Sequence, residues 1–278
     1  MSFMQPIDFG GGEPLLPDSP PTVRAECQGC RNGSNLGFDF TMAFQPIVDI
    51  VDDRVWAYEA LVRGMNGEGA ATVLNQVRDD DVYGFDQACR VKAVGLAGRL
   101  FPADERTRLS INFMPNAVYE PNACIRATLA AARKARFAED RLMFEFTENE
   151  RMRDSAHVRR IIEAYRERGF TTAIDDFGAG YAGLGLLAEL NPDVIKIDMA
   201  LIHGIDTSAT KRAIVAAIVG LTSALDIMPL AEGIETKSEL DTLRSLGIRL
   251  CQGYLFARPA VEALPPISWP DELSNVVI

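Results

Sequence analysis

The feature that most constrains the fold is an alternation running almost the whole length of the chain. Eight short runs rich in β-branched and aromatic residues, at 41–50, 55–64, 108–114, 141–148, 171–177, 194–199, 228–234 and 249–256, read as strands. Amphipathic stretches at 84–100, 121–136, 155–168, 182–190, 209–226 and 236–246 read as helices. Strands that alternate with helices predict a mostly parallel sheet with helices outside it. Only Val51, Asp52, Asp53 and Arg54 separate the first two runs, which predicts an antiparallel hairpin. The other connections are long enough to be parallel crossovers. The expected fold is therefore α/β, a closed eight-stranded barrel with one strand reversed. A length of 278 residues suits one barrel of ~250 residues plus tails.

The predicted organisation has three parts. Residues 1–36 form a Gly/Pro-rich leader containing Cys27 and Cys30, residues 37–270 form the barrel, and residues 271–278 form a tail. The start lacks the basic and apolar regions of a signal peptide, and no run of 18 apolar residues occurs. The five cysteines (27, 30, 89, 124 and 251) are read as reduced thiols of a cytoplasmic protein. The single C-x-x-C has no second pair to complete a zinc site, so two ordinary thiols are the favoured reading, with a redox pair or a half-site completed by a partner chain as the alternatives.

Polar residues fall at the C-terminal ends of the apolar runs, which is where barrels of this type carry their chemistry. Glu59, Leu61 and Arg63 alternate at the end of the second run, and Ser110 and Asn112 share a face in the third. Glu145 lies near the end of the fourth run, with Glu148 just beyond. The fifth ends in Asp175-Asp176, Lys196 and Asp198 alternate in the sixth, and Glu232 and Gln252 hold matching places in the seventh and eighth. By the same alternation, Trp56 and Phe144 face away from Glu59 and Glu145 and should pack against helices.

A carboxylate at a strand end is usually a helix cap or a solvated loop group. Glu59, Glu145, Asp175, Asp176 and Glu232 converging together are harder to explain so plainly. Two carboxylates 4 Å apart repel by roughly 4 kcal/mol at an effective dielectric of 20. Several such pairs would exceed a typical net stability of about 5–15 kcal/mol. Divalent cations relieve that repulsion. His157 and His203 are the only histidines, so the donors are oxygens, which suit magnesium or manganese rather than zinc. Asp175-Asp176 would let one carboxylate bridge two ions, the arrangement of two-metal phosphodiester hydrolysis. With 39 acidic against 28 basic residues the net charge is −11, which argues against a duplex nucleic-acid binder.

At these residues the sequence resembles the EAL-domain family of cyclic di-GMP phosphodiesterases. The blocks that carry the resemblance are FQPIVD (44–49), YEALVRG (58–64), INFMPN (111–116), FEFTE (144–148), AIDDFGAGYAGL (173–184), VIKID (194–198), AEGIE (231–235) and CQGYLF (251–256). The resemblance implies a modified (β/α)8 barrel with an antiparallel first strand. It also implies hydrolysis of cyclic di-GMP to linear pGpG with two Mg2+ or Mn2+ ions. Glu59, Asn112, Glu145, Asp175 and Asp176 fall on the family's metal ligands. Glu232 matches a position tied to the attacking water, and Lys196 one that positions it. Glu148 and Glu235 match supporting positions in the catalytic set, and Glu148 would hold the loop Phe177–Leu184 near a dimer interface. Arg63 would contact a phosphate, and Gln45, Leu61, Asp198 and Gln252 lie at or near substrate contacts. A homodimer is implied, with cyclic di-GMP as substrate and no membrane partner. The loop carries Ala179 where many members have Thr or Ser. No GGDEF signature is present, and no sensory domain is expected ahead of the barrel.

Two other functions fit parts of this pattern. A non-hydrolytic receptor or interaction module would share the fold, but such members usually lack a metal carboxylate, and none is missing here. A glycosidase would use paired carboxylates, yet Asn112, Lys196 and the Asp-Asp pair suit cations better. Asp86 and Arg90 are expected to pair within a helix, and Cys251, beside Gln252, is expected to be a packed thiol.

Overall fold

The computed structural model describes residues 36–102, 106–114, 124–147, 155–180 and 183–270. The strands are β1 (Thr41–Asp49), β2 (Arg54–Arg63), β3 (Arg108–Asn112), β4 (Leu142–Thr147), β5 (Thr171–Phe177), β6 (Val194–Ile197), β7 (Met228–Ala231), β8 (Leu250–Cys251) and β9 (Ala260–Val261). The helices are α1 (Ala70–Leu74), α2 (Val82–Leu100), α3 (Arg126–Ala135), α4 (Ser155–Arg166), α5 (Gly183–Leu190), α6 (Met199–Ile202), α7 (Ala209–Leu225) and α8 (Lys237–Ser245).

Strands β2 to β8 pair in parallel in chain order, and β1 closes the ring by pairing antiparallel with both β2 and β8. This is the expected barrel with its first strand reversed. The sequence reading lacked β9, which pairs with β1 at Ala43 and Phe44, where the short β8 no longer reaches. Two residues are too few to leave a periodic signal. None of the described helices is long and apolar enough to cross a membrane.

Two apolar layers hold the barrel. The larger lies between sheet and helices and includes Phe113, Phe144, Phe146, Tyr165 and Phe170. The smaller fills the barrel and contains Ile47, Ala57, Met143, Ala173, Val194, Leu230 and Leu250. Trp56 also belongs to this inner layer, which corrects the expectation that it packs against helices. The cause is a β-bulge. Ile47 faces Ala57 and Val48 faces Val55, leaving Trp56 as an extra residue that resets the alternation. Arg108 lies over its ring, 4.6 Å from the centroid. Phe144 does face helices, packing tilted against the Tyr165 ring of α4 at 4.8 Å between centroids.

Candidate active site

The inner apolar layer is a floor, and the site stands on it. Ala57, Met143, Ala173, Val194, Leu230 and Leu250 are followed two residues later by Glu59, Glu145, Asp175, Lys196, Glu232 and Gln252. Period-two alternation stacks each polar residue above its apolar predecessor at the C-terminal mouth. In the reversed strand β1 the order inverts, so Gln45 precedes Ile47 and sits on the same level.

Lys196 is the centre of this layer. Its ammonium lies 2.8 Å from Glu145 Oε2, 2.8 Å from Glu232 Oε1, 2.9 Å from Asp175 Oδ1 and 3.6 Å from Glu59 Oε2. Ser110 donates from Oγ to the other oxygen of Glu145. Glu59 accepts from Asn112 Nδ2 at 3.1 Å and from Gln252 Nε2 at 2.7 Å. These bonds aim carboxylate oxygens inward and fix their rotamers.

Asp175 and Asp176 are adjacent, so a regular strand would point them to opposite faces. Here β5 advances from Ile174 to Phe177 while β6 advances only from Ile195 to Ile197. Asp176 takes up the extra residue with φ of +56°, in the left-handed region that Asp tolerates better than most residues. Both carboxylates thereby reach the mouth. Glu59, Glu145 and Asp175 form one group whose oxygens lie within 4.8 Å of one another, and Asp175, Asp176 and Glu232 form a second. Asp175 is common to both.

One ammonium among five carboxylates leaves the site strongly acidic. Burial, together with Glu59 and Asp175 and against Lys196, pushes the Glu145 carboxyl up to about 8. Burial, with Asp175 and Glu59, also raises Glu232 well above the usual carboxylate range, and burial with Asp175 and Asp198 raises Asp176. Burial opposes the charge on Lys196, but Asp175, Glu145, Glu232 and Glu59 outweigh it and hold the group as ammonium. Divalent cations fit this donor set: the groups are hard oxygen ligands, and no His or Cys belongs to either acidic group. Among the described residues, Gln252 Oε1 is buried without a hydrogen-bond partner, and Asp175 Oδ1 faces Lys196 without receiving a well-formed hydrogen bond. Both are lone pairs available to a cation or its water.

Above this layer opens a cleft of about 210 Å³ lined by Gln45, Glu59, Asp176, Asp198, Glu232 and Glu235, with Gln252 among the remaining lining residues. Asp198 also caps α6, accepting from the Ala200 N–H at 2.8 Å. Leu61 and Asn112 line a neighbouring apolar cavity of about 530 Å³ instead. Arg63 lines neither, and donates from Nη1 to the Val62 carbonyl at 2.7 Å. Glu148, Cys27 and Cys30 lie outside the described residues, as do Tyr181 and Ala182 of the β5–α5 loop. Cys251 is fully buried, and burial pushes its thiol up to about 12, as a packed thiol requires. Gly253 is sterically required, because a Cβ there would collide with the Ile234 backbone.

Glu239 was not among the candidates. Its buried carboxylate accepts from the N–H groups of Gly204, Glu235 and Thr236, tying the exits of β6 and β7 together. The signal was present as Thr236-x-x-Glu239, and the structure shows the complete capping box.

The class defined by fold and site is a closed α/β barrel with a reversed first strand and an acidic, oxygen-donor centre at its C-terminal mouth. The model of the EAL domain matches residues 34–259, and the chain belongs to the EAL-domain family. Among curated relatives, the blue light- and temperature-regulated antirepressor BluF of Escherichia coli is 34% identical over 231 residues, covering 83% of this chain and 57% of BluF. The cyclic di-GMP phosphodiesterase NbdA of Pseudomonas aeruginosa is 32% identical over 227 residues, covering 78% of this chain and 28% of NbdA. The chain thus spans less than two thirds of either relative. A standalone EAL protein from Vibrio cholerae O395 with bound c-di-GMP superposes with a TM-score of 0.80 at 48% identity, covering 86% of this chain and 99% of that one. A manganese/cy-diGMP complex of Klebsiella pneumoniae BlrP1 gives 0.78 at 37% identity, covering 83% and 58%.

Proposed function

We propose that the chain is a divalent-metal-dependent phosphodiesterase that hydrolyses cyclic di-GMP to linear pGpG. The observation that carries this reading is the pair of acidic groups sharing Asp175 around Lys196 at the barrel mouth. NbdA is named as a phosphodiesterase for this nucleotide, and the Vibrio and Klebsiella proteins are seen with it bound, the latter with manganese.

Glu59, Asn112, Glu145, Asp175 and Asp176 would hold Mg2+ or Mn2+, and the overlap of two acidic groups at Asp175 supports a two-ion reading. Bound there, such ions lower the pKa of water and polarise the phosphate. Lys196 adds a fixed positive charge where negative charge develops on phosphorus-bound oxygens. Glu232, on the cleft wall, takes up the proton the attacking water gives up. Water oxygen bonds to phosphorus, one ester P–O bond breaks, and the leaving oxygen takes a proton from solvent to become the free hydroxyl of pGpG, while Glu232 later returns its proton to solvent. Gln45, Leu61, Asp198 and Gln252 would contact the nucleotide, with Arg63 on a phosphate. Glu235, beyond β7, and Glu148 would support the site. The homodimer and the cytoplasmic location belong to the same reading.

The test is chromatography of cyclic di-GMP incubated with the protein and Mg2+, with and without EDTA. Conversion to pGpG that EDTA stops is the expected result. Binding without turnover, in either metal, would favour the non-hydrolytic receptor, a reading in keeping with BluF, which is named an antirepressor. Neither binding nor turnover would sink the assignment.

A further inference from the structure

Asn112 is the one amide in the donor set, and it leaves the barrel on an exposed strand end. Its amide donates to Glu59 at 3.1 Å, and the backbone that follows it is held from outside the barrel. Asp86, on α2, accepts from the Met114 N–H at 3.1 Å through Oδ1, while Oδ2 pairs with Arg90 Nη2 at 2.6 Å. Both charged side chains are sealed, at 3% and 0% exposure. Between Asn112 and Met114, the Phe113 N–H donates to the Glu145 carbonyl at 2.9 Å. The Phe113 ring packs on Phe144, Phe146 and Tyr165. The three-residue exit of β3 is therefore gripped by β4 on one side and by Asp86 on the other.

A buried ion pair is a poor stabiliser, since apolar residues of similar volume often serve as well or better. The pair has a different use if its geometry matters. Arg90 holds one carboxylate oxygen, so the other is fixed in direction, and the Met114 N–H has a rigid acceptor. We propose that Asp86 is a positioning residue for the metal site, acting through the Met114 N–H to set the direction of the Asn112 amide. The proposal rests on the reading that the acidic groups bind divalent cations.

Two double variants isolate the acceptor. Asp86→Ala with Arg90→Met removes the ion pair and the acceptor, while Asp86→Asn with Arg90→Met removes the ion pair and keeps an acceptor oxygen. Neither strands a buried charge. Mn2+ affinity is read by electron paramagnetic resonance titration of the full chain, and folding by near-UV circular dichroism. The Ala variant should bind Mn2+ about 10–100-fold more weakly, as when an outer partner of a metal ligand is lost, and the Asn variant within about threefold of the parent. A purely structural role would move melting temperature equally in both and leave them with the same affinity, and equal affinities would overturn the proposal. Absence of Mn2+ binding by the parent would overturn the metal reading and this inference together. Should the Ala variant fail to fold, amide exchange on the parent decides. Mn2+ should slow exchange at Met114, and unchanged exchange there would overturn the coupling.

Discussion

Glu145 Oε2 lies 2.8 Å from Lys196 Nζ, and the two side chains are sealed at 0% and 1% exposure. An ammonium so placed neutralises part of an acidic site, and it also competes with any cation the same carboxylates would hold. Lys196 thus sets how acidic the carboxylate cluster is and how strongly it attracts metal.

Replacing it separates those roles. Lys196→Met should lower turnover by at least about 100-fold, the usual scale for loss of a group that stabilises developing charge. Loss of one partner from a buried pair should also destabilise the metal-free protein by about 3–5 kcal/mol. Mn2+ affinity should not weaken, because a positive charge has been removed from beside the donors. Urea denaturation in EDTA, titration with Mn2+ and steady-state kinetics give the three values. Weakened Mn2+ binding would show that Lys196 shapes the site rather than opposing the cation.

Asp175 is the carboxylate common to both acidic groups, so its loss should differ in kind from loss of its neighbour. The parent is expected to bind two Mn2+ per chain. Asp176→Asn leaves Glu59, Glu145 and Asp175 intact and should keep one ion, with the backbone undisturbed because Asn also tolerates positive φ. Asp175→Asn should weaken both. Counting bound Mn2+ by equilibrium dialysis distinguishes these outcomes, and one ion retained by Asp175→Asn would refute the bridging role.

The barrel was legible because, after the opening hairpin, strand runs and amphipathic stretches alternate, and its mouth because carboxylates interrupt otherwise apolar strands at period two. Where the structure departs from the sequence reading, the period itself fails. At Trp56 a bulge adds one residue to β2 and turns the indole inward. At Asp175-Asp176 another extra residue brings together side chains that alternation would separate, and only the resulting excess of carboxylate hinted at it. Asp86 was visible as half of an intrahelical pair, but its bond to Met114 spans 28 residues and leaves no local pattern. Arg63 followed the alternation of Glu59 and Leu61, yet at the strand's end its guanidinium turns back to the Val62 carbonyl.

The bulge makes its own prediction. Trp56 is 4% exposed and fills the inner layer beneath Glu59, with Arg108 over its ring. Trp56→Ala should cost about 3–5 kcal/mol, the range for emptying a large core site. Urea denaturation checks this. A loss below about 1 kcal/mol would mean that the ring does not support the floor.

The last expectation concerns pH. With its pKa at about 8 against an ordinary 4.5, Glu145 in the folded, metal-free protein keeps a proton that the unfolded chain has already released. The folded state therefore binds more protons between those values, and stability falls as pH rises through the window. Glu232, also raised, acts in the same direction. Asp49 and Glu239 are lowered from 3.8 and 4.5, so the stability they add is complete above the window's lower edge and does not vary within it. Melting temperature in EDTA should accordingly be higher at about pH 5.5 than at about pH 8. Divalent binding requires the Glu145 proton to leave, so Mn2+ affinity should rise over the same interval by up to tenfold per pH unit and flatten above it. Saturating Mn2+ should then reverse the order of the two melting temperatures. A metal-free melting temperature that rises from pH 5.5 to 8 would show that Glu145 and Glu232 are already ionised in the folded chain, with Lys196 alone compensating them.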